Sequence, residues 1–201
     1  LSMPGNNLFS LAFFGFIPVL LSIFLSDANL QSTDNQCYKP NLQGGFAATK
    51  SATNAYVFGV GFNLISLNWI LSIHPLSWLG LNYFQSISLA LFIWILISVL
   101  CAIPFVLWGI TTRWVMNFKV IDIIKIIFIS TSWVLFNNIL LSFLGSLSFP
   151  WSMIEYSQYN NIYFLQLASI FKVISLGFYL MAFKTAFAII IFKTFKQKLS
   201  Y

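Results

Sequence analysis

Apolar residues in this chain fall in long unbroken runs, not in the alternating or one-faced patterns of half-buried strands and surface helices. Runs long enough to cross a bilayer, roughly 20 residues each, occur at about 8–25, 55–73, 86–110, 120–144 and 174–192. The pattern predicts an all-α polytopic bundle of about five transmembrane helices, a single membrane domain over 1–201. The only polar, Gly-containing linker of any length is 26–54, and there is no internal repeat. Pro18 and Pro104 fall inside runs, where the loss of a backbone hydrogen bond is expected to kink each helix.

Basic residues orient these runs. Lys39 and Lys50 lie in the first connection, Arg113, Lys119 and Lys125 in and beside the third, and Lys193, Lys196 and Lys198 in the tail. The connections 74–85 and 145–173 hold only Lys172 between them. Short loops rich in Lys and Arg stay inside, which predicts the N-terminal side out and the C-terminal tail in. Residues 1–7 carry no Lys or Arg, so the first run reads as a retained helix and not as a secretory signal. An outer, uncharged start at Leu1-Ser2 predicts a further helix upstream, making this sequence a fragment.

Composition removes the soluble alternatives. Of 201 residues, 59% are hydrophobic and 7% charged, with a mean hydropathy of +0.87, whereas a soluble domain carries about 25% charged residues. The 23 Phe and seven Trp cannot be covered by ten basic and four acidic side chains, which excludes a soluble enzyme. The net charge of +6 is spread singly over the ends of runs, not gathered on one face, so no nucleic-acid partner is expected. Cys37 and Cys101 lie far apart without metal-ligand spacing and are expected to be free thiols, and neither a metal nor a cofactor is implied. Trp69, Trp78, Trp108, Trp114 and Trp151 fall near run ends, the place of interfacial anchors, while Trp94 and Trp133 sit deeper, where they would pack between helices.

Candidate chemistry is sparse. His74, at the outer end of the second run, stands alone without a nearby carboxylate or thiol and reads first as structural, with catalysis the lesser reading. Asn137 and Asn138 are mid-span amides expected to hydrogen-bond across helices. Lys184 is an ammonium near the middle of the last run: a functional residue by default, or one that snorkels or sits shallow if the span is shifted. Asp122 and Lys125, three residues apart, are placed to pair on one helix. No Ser-His-Asp or Cys-His set, HExxH, phosphate loop or paired carboxylates occur, and Phe58-Gly59-Val60-Gly61 is too short for a nucleotide fingerprint.

Phe149-Pro150-Trp151, then four residues, then Tyr156-Ser157-Gln158 resemble the outer-loop signature of bacterial apolipoprotein N-acyltransferases. FFGFIPVLL at 13–21, GVGFNLISLNWILSIHPLSWLG at 59–80, and Gln166-Leu167-Ala168 are similar to the family's helices and to the stretch after the signature, so the resemblance covers about 10–192. It implies transfer of an acyl chain from a phospholipid to the N-terminal cysteine amine of diacylglyceryl-modified lipoproteins. Glu, Lys and Cys of a nitrilase-like domain carry that chemistry in the family. The domain is absent from this sequence, so no catalytic residue is assigned, and neither Cys37, expected inside, nor Cys101, expected mid-membrane, takes the role.

What the resemblance assigns here is a membrane scaffold in the bacterial inner membrane. Trp151 is the first candidate for the lipid entrance, Pro150, Tyr156 and Gln158 shape its loop, and His74 and Trp78 lie on the same side. The chain departs from the family at Ser148, Glu155, Lys172 and Ser175, where glycines are usual. It departs again at Asn137, Asn138 and Leu140, where a Glu and an Arg are usual, and at Lys184, where an Asn is usual. The alternative is a non-enzymatic membrane protein, a small transporter component or assembly factor, or a decayed remnant of the acyltransferase.

Overall fold

A computed structural model describes residues 13–31, 40–144, 153–158 and 161–199. The architecture is all-α, with no strand among the described residues. The helices are α1 (Ile17–Gln31), α2 (Pro40–Ser66), α3 (Tyr83–Leu100), α4 (Ile103–Met116), α5 (Asp122–Leu144), α6 (Ile162–Phe171) and α7 (Val173–Leu199). Among the described residues, four segments are long and apolar enough to cross a membrane: Thr49–Ile73, Tyr83–Met116, Asp122–Ile139 and Val173–Gln197.

Successive membrane-length segments alternate in direction, α3 and α4 running on together as one. Asn54 of α2 donates to Ser22 of α1, and Phe58 meets Phe16, so these two run antiparallel. Trp94 of α3 donates its indole N–H to the Leu64 carbonyl of α2, the interhelical role expected for it. Trp108 of α4 donates to the Ile129 carbonyl of α5. α7 runs parallel to α1, with Phe14 against Phe183 and Phe187 and Phe24 against Phe192. α1, 15 residues long, is therefore a shorter fifth member of the bundle.

Polarity is inverted relative to a soluble protein. Ser51, Asn63, Ser98, Thr112, Ser130 and Thr185 are buried, while Phe92, Ile95, Leu96, Ile127 and Phe128 face outward. In lipid, helices gain nothing by hiding apolar side chains from their solvent, and association comes from close packing and polar contacts. Small residues make that packing possible: α2 and α4 cross at Gly109, where an added Cβ would stand 2.6 Å from Ala55 Cβ and 3.1 Å from the Ser51 carbonyl oxygen. The space above this crossing is filled by an aromatic cluster centred on Phe16, which touches Phe58, Phe62, Phe105, Trp108 and Trp133.

Several local expectations are corrected. Most of the 26–54 linker is helix: α1 continues to Gln31 and α2 begins at Pro40, whose fixed φ suits a first turn, and Ser51 and Ala55 of this helix are used against α4. The third run extends over 83–116, about 51 Å of helix at ~1.5 Å per residue, and is divided by a turn at Cys101-Ala102. Pro104 lies just after this turn and cannot bond the Leu100 carbonyl that ends α3, in keeping with the expected break, whereas Pro18 falls in the first turn of α1, where a missing N–H breaks no helical bond. Trp108 is no interfacial anchor but fully buried, whereas Trp69, Trp78 and Trp114 are exposed. Arg113, expected to face a loop, is buried in the last turn of α4. Asp122 pairs with Lys193 of α7, not with Lys125, which donates to the Met116 carbonyl at 3.4 Å. Cys101 is a free, buried thiol; Cys37 lies outside the described residues.

Candidate functional site

The signature segment is represented by a single 3₁₀ turn, Ile154–Gln158, and its flanks; Pro150 and Trp151 lie outside the described residues. The turn closes on itself: Ser157 Oγ donates to the Ile154 carbonyl at 2.6 Å, and Gln158 Nε2 donates to Ser157 Oγ at 3.1 Å. Asn161 then caps α6, its side chain accepting from the Phe164 N–H. Ile154, Glu155, Ser157 and Gln158 are buried and Tyr156 points outward, so four of five side chains are plugged into the bundle. They rest on α7.

Glu155 reaches the first turns of α7 because Gly177 leaves room. A Cβ at Gly177 would stand 2.0 Å from Glu155 Oε1, a contact no side chain could make. Burial pushes the Glu155 carboxyl up to about 7, against the pull of its own backbone N–H and of the Lys184 ammonium. Lys184 lies seven residues, or two turns, beyond Gly177 on the same face, and helical side chains lean back toward the N-terminus. Its Nζ is fully buried, 4.2 Å from the Phe16 ring centroid, and has no hydrogen-bond partner among the described residues. Lys184 is thus enclosed by the bundle and does not reach out of it.

The remaining candidates are supported separately. The segment carrying His74 and Trp78 rests on α2 and α3, at the end of the bundle where α7 begins. His74 Nδ1 lies 2.7 Å from Ser86 Oγ, which also accepts the Leu76 N–H at 2.8 Å, and its ring meets Tyr83 edge-on at 4.8 Å. With Ser86 Oγ accepting from Leu76, its hydroxyl proton can go to Nδ1, leaving Nε2 to carry the ring proton. His74 thus ties down the α2–α3 connection, while Trp78 is 76% exposed. Asn137 and Asn138 donate to the Trp133 and Val134 carbonyls one turn back on α5; neither bond crosses to another helix, contrary to expectation. For a mid-helix amide the carbonyl four residues back is a near acceptor.

Sequence reasoning missed that Glu155 and Lys184, which stand singly as departures from the family pattern, are both buried, and that Glu155 seats against Gly177 of α7. Among the described residues, no three His, Cys, Asp or Glu side chains gather where they could hold a metal. The site is a polar plug locking a loop to a helix bundle.

Residues 1–186 match the family model described as the apolipoprotein N-acyltransferase N-terminal domain. Curated relatives carry the same name. The chain is 36% identical to the Synechocystis sp. apolipoprotein N-acyltransferase over 87 residues, 43% of this chain and 15% of that one. It is 39% identical to that of Parasynechococcus marenigrum over 57 residues (28% and 12%) and 27% identical to that of Gloeobacter violaceus over 108 (54% and 20%). The matched region thus spans no more than a fifth of these relatives' lengths. No solved structure matches the chain. With residues 1–186 of its 201 matched, this polytopic helical chain belongs to the apolipoprotein N-acyltransferase family, as its N-terminal part.

Proposed function

We propose that this chain is the membrane part of an apolipoprotein N-acyltransferase-like protein. It serves the transfer of an acyl chain from phospholipid to the N-terminal cysteine amine of diacylglyceryl-modified lipoproteins when joined to its catalytic domain. The observation that carries this reading is the family match over residues 1–186, on a chain built of membrane-length helices. The chain supplies a scaffold in the bacterial inner membrane, with the end bearing His74, Trp78 and Tyr156 on the outer side, where Lys and Arg are sparse. Trp151, Pro150, Tyr156 and Gln158 shape the lipid entrance there, and the outward-facing Tyr156 is the side chain of that turn free to meet lipid. The phospholipid donor and the lipoprotein acceptor are the partners.

A hybrid tests the reading: the membrane part of the Gloeobacter relative is replaced by this chain, and acyl transfer to a diacylglyceryl lipoprotein is followed in isolated membranes. Transfer above a control lacking the membrane part supports the scaffold role. A hybrid that inserts and accumulates normally but transfers nothing counts against it, in favour of the non-enzymatic reading.

A further inference from the structure

We infer that the basic end of α7 carries a seat for one anionic phospholipid, an acyl chain lying in a groove lined by Ile190, Ile191, Thr194 and Phe195 and the phosphate meeting Lys198. The inference goes beyond acyl transfer and does not depend on it.

The groove is a recess of about 180 Å³ lined, among the described residues, by those four side chains. Their spacing of three and four residues puts them on one face of α7. The bundle leaves that face open, with Ile190 62% and Phe195 59% exposed. Thr194 Oγ1 donates to the Ile190 carbonyl at 2.9 Å, so its hydroxyl proton is used within the helix and the groove stays apolar. Toward the middle of the bundle the half-exposed rings of Phe183 and Phe187, stacked 6.2 Å apart, continue the surface. From Phe183 to Phe195 the helix rises about 18 Å at ~1.5 Å per residue, which is close to one leaflet, half of the roughly 30 Å hydrocarbon core.

Charge gathers at the mouth of this groove. All of the chain's basic residues except Lys172 and Lys184 lie in or beside the connections and tail at this end, against Asp27, Asp34 and Asp122. Asp122 is itself engaged by Lys193. Lys198 follows Thr194 by four residues and Phe195 by three within α7, the register that continues the groove to the end of the helix. Lys196, two residues earlier, lies about 200° round the helix from it, on the other side. A zwitterionic headgroup would bring an ammonium of its own among these cations, whereas an anionic one is attracted to them. A soluble anion would use only the charge and a neutral lipid only the apolar floor; an anionic phospholipid uses both.

The test titrates the full-length protein in detergent with phosphatidylglycerol or phosphatidylcholine of the same chains and follows the first bound lipid by native mass spectrometry. Phosphatidylglycerol should bind more tightly, and Lys198→Gln should weaken it about fivefold, the effect of one Lys near an anionic headgroup. Lys196→Gln removes the same charge on the other side and should leave binding within about 1.5-fold of the parent. Thr194→Trp fills the groove without changing charge and should weaken binding by about twofold or more. Equal losses in Lys198→Gln and Lys196→Gln, the result of diffuse attraction alone, overturn the seat. So does equal affinity for the two lipids in the parent, the result if another helix of the full-length chain covers the groove. Displacement of phosphatidylglycerol by millimolar glycerol phosphate would likewise contradict a lipid occupant, and its retention supports one.

Discussion

Gly109→Ala is a sharp test of how this bundle is held together. The new methyl would stand 2.6 Å from Ala55 Cβ, where ordinary contact begins near 3.4 Å, a deficit of about 0.8 Å, and 3.1 Å from the Ser51 carbonyl oxygen. Neither neighbour can swing away, since one is fixed to the backbone and the other belongs to it. α2 and α4 must therefore separate, loosening Phe58 and Phe62 against Phe105 as well. Overpacking of this kind costs about 1–3 kcal/mol, from which the better helix propensity of Ala recovers ~1 kcal/mol, leaving a net loss of up to about 2 kcal/mol. Gly61, also in α2, has nothing within 4 Å of its missing Cβ, so Gly61→Ala is the matched control: it keeps the propensity gain without the clash and should raise stability by up to ~1 kcal/mol. The assay is reversible unfolding in mixed micelles, followed by circular dichroism. Ala55→Gly should recover more than half of the Gly109→Ala loss. If Gly109→Ala behaves like Gly61→Ala, or if Ala55→Gly gives no recovery, the close α2–α4 crossing is not what holds the bundle.

Other outcomes follow from the same packing. Phe16→Ala removes the ring shared by five aromatic neighbours and the Lys184 ammonium, and should lower stability by about 3 kcal/mol in the same unfolding assay, at the low end for a buried Phe because the unfolded side chain sits in lipid. Ser86→Ala strips the partner from His74 Nδ1 and from the Leu76 N–H; a loss of about 1–3 kcal/mol and faster proteolysis between α2 and α3 should follow. Glu155 makes stability depend on pH. Its folded carboxyl titrates at about 7, above the ~4.3 of an unfolded Glu, so between these values the folded state holds a proton that the unfolded state lacks. That stabilisation is complete below about pH 4.3 and is lost as pH rises through 7. Melting temperature should fall across this window, and Glu155→Gln should flatten the slope.

Much of the architecture was legible because lipid demands long apolar helices, and this chain has room for little else. Trp94 and Trp133 pack inside as their depth implies, and the signature residues 149–158 point to the family that the domain match establishes. Where hydropathy is the only guide, reading stops short. The stretch 40–54 resembles a linker because Gly, Ala, Ser and Thr are weakly hydrophobic, yet it is helical and brings Ser51 to the α2–α4 crossing, where small residues let helices approach. Trp108 reads as interfacial because it lies near the end of an apolar run, but the helix continues to Met116 and places it in the core. Asp122 finds Lys193, 71 residues away, in preference to the local Lys125, and Glu155 seats against Gly177; no periodicity records partners brought together by tertiary packing.

Mass spectrometry of lipoprotein N-terminal peptides from cells with and without its gene tests most directly the role in lipoprotein N-acylation proposed for this chain. The account predicts that deletion leaves the N-terminal cysteine diacylglyceryl-modified with a free α-amine, and that restoring the intact gene returns the amide-linked acyl chain. Lipoproteins that remain fully N-acylated in the deleted strain would contradict it.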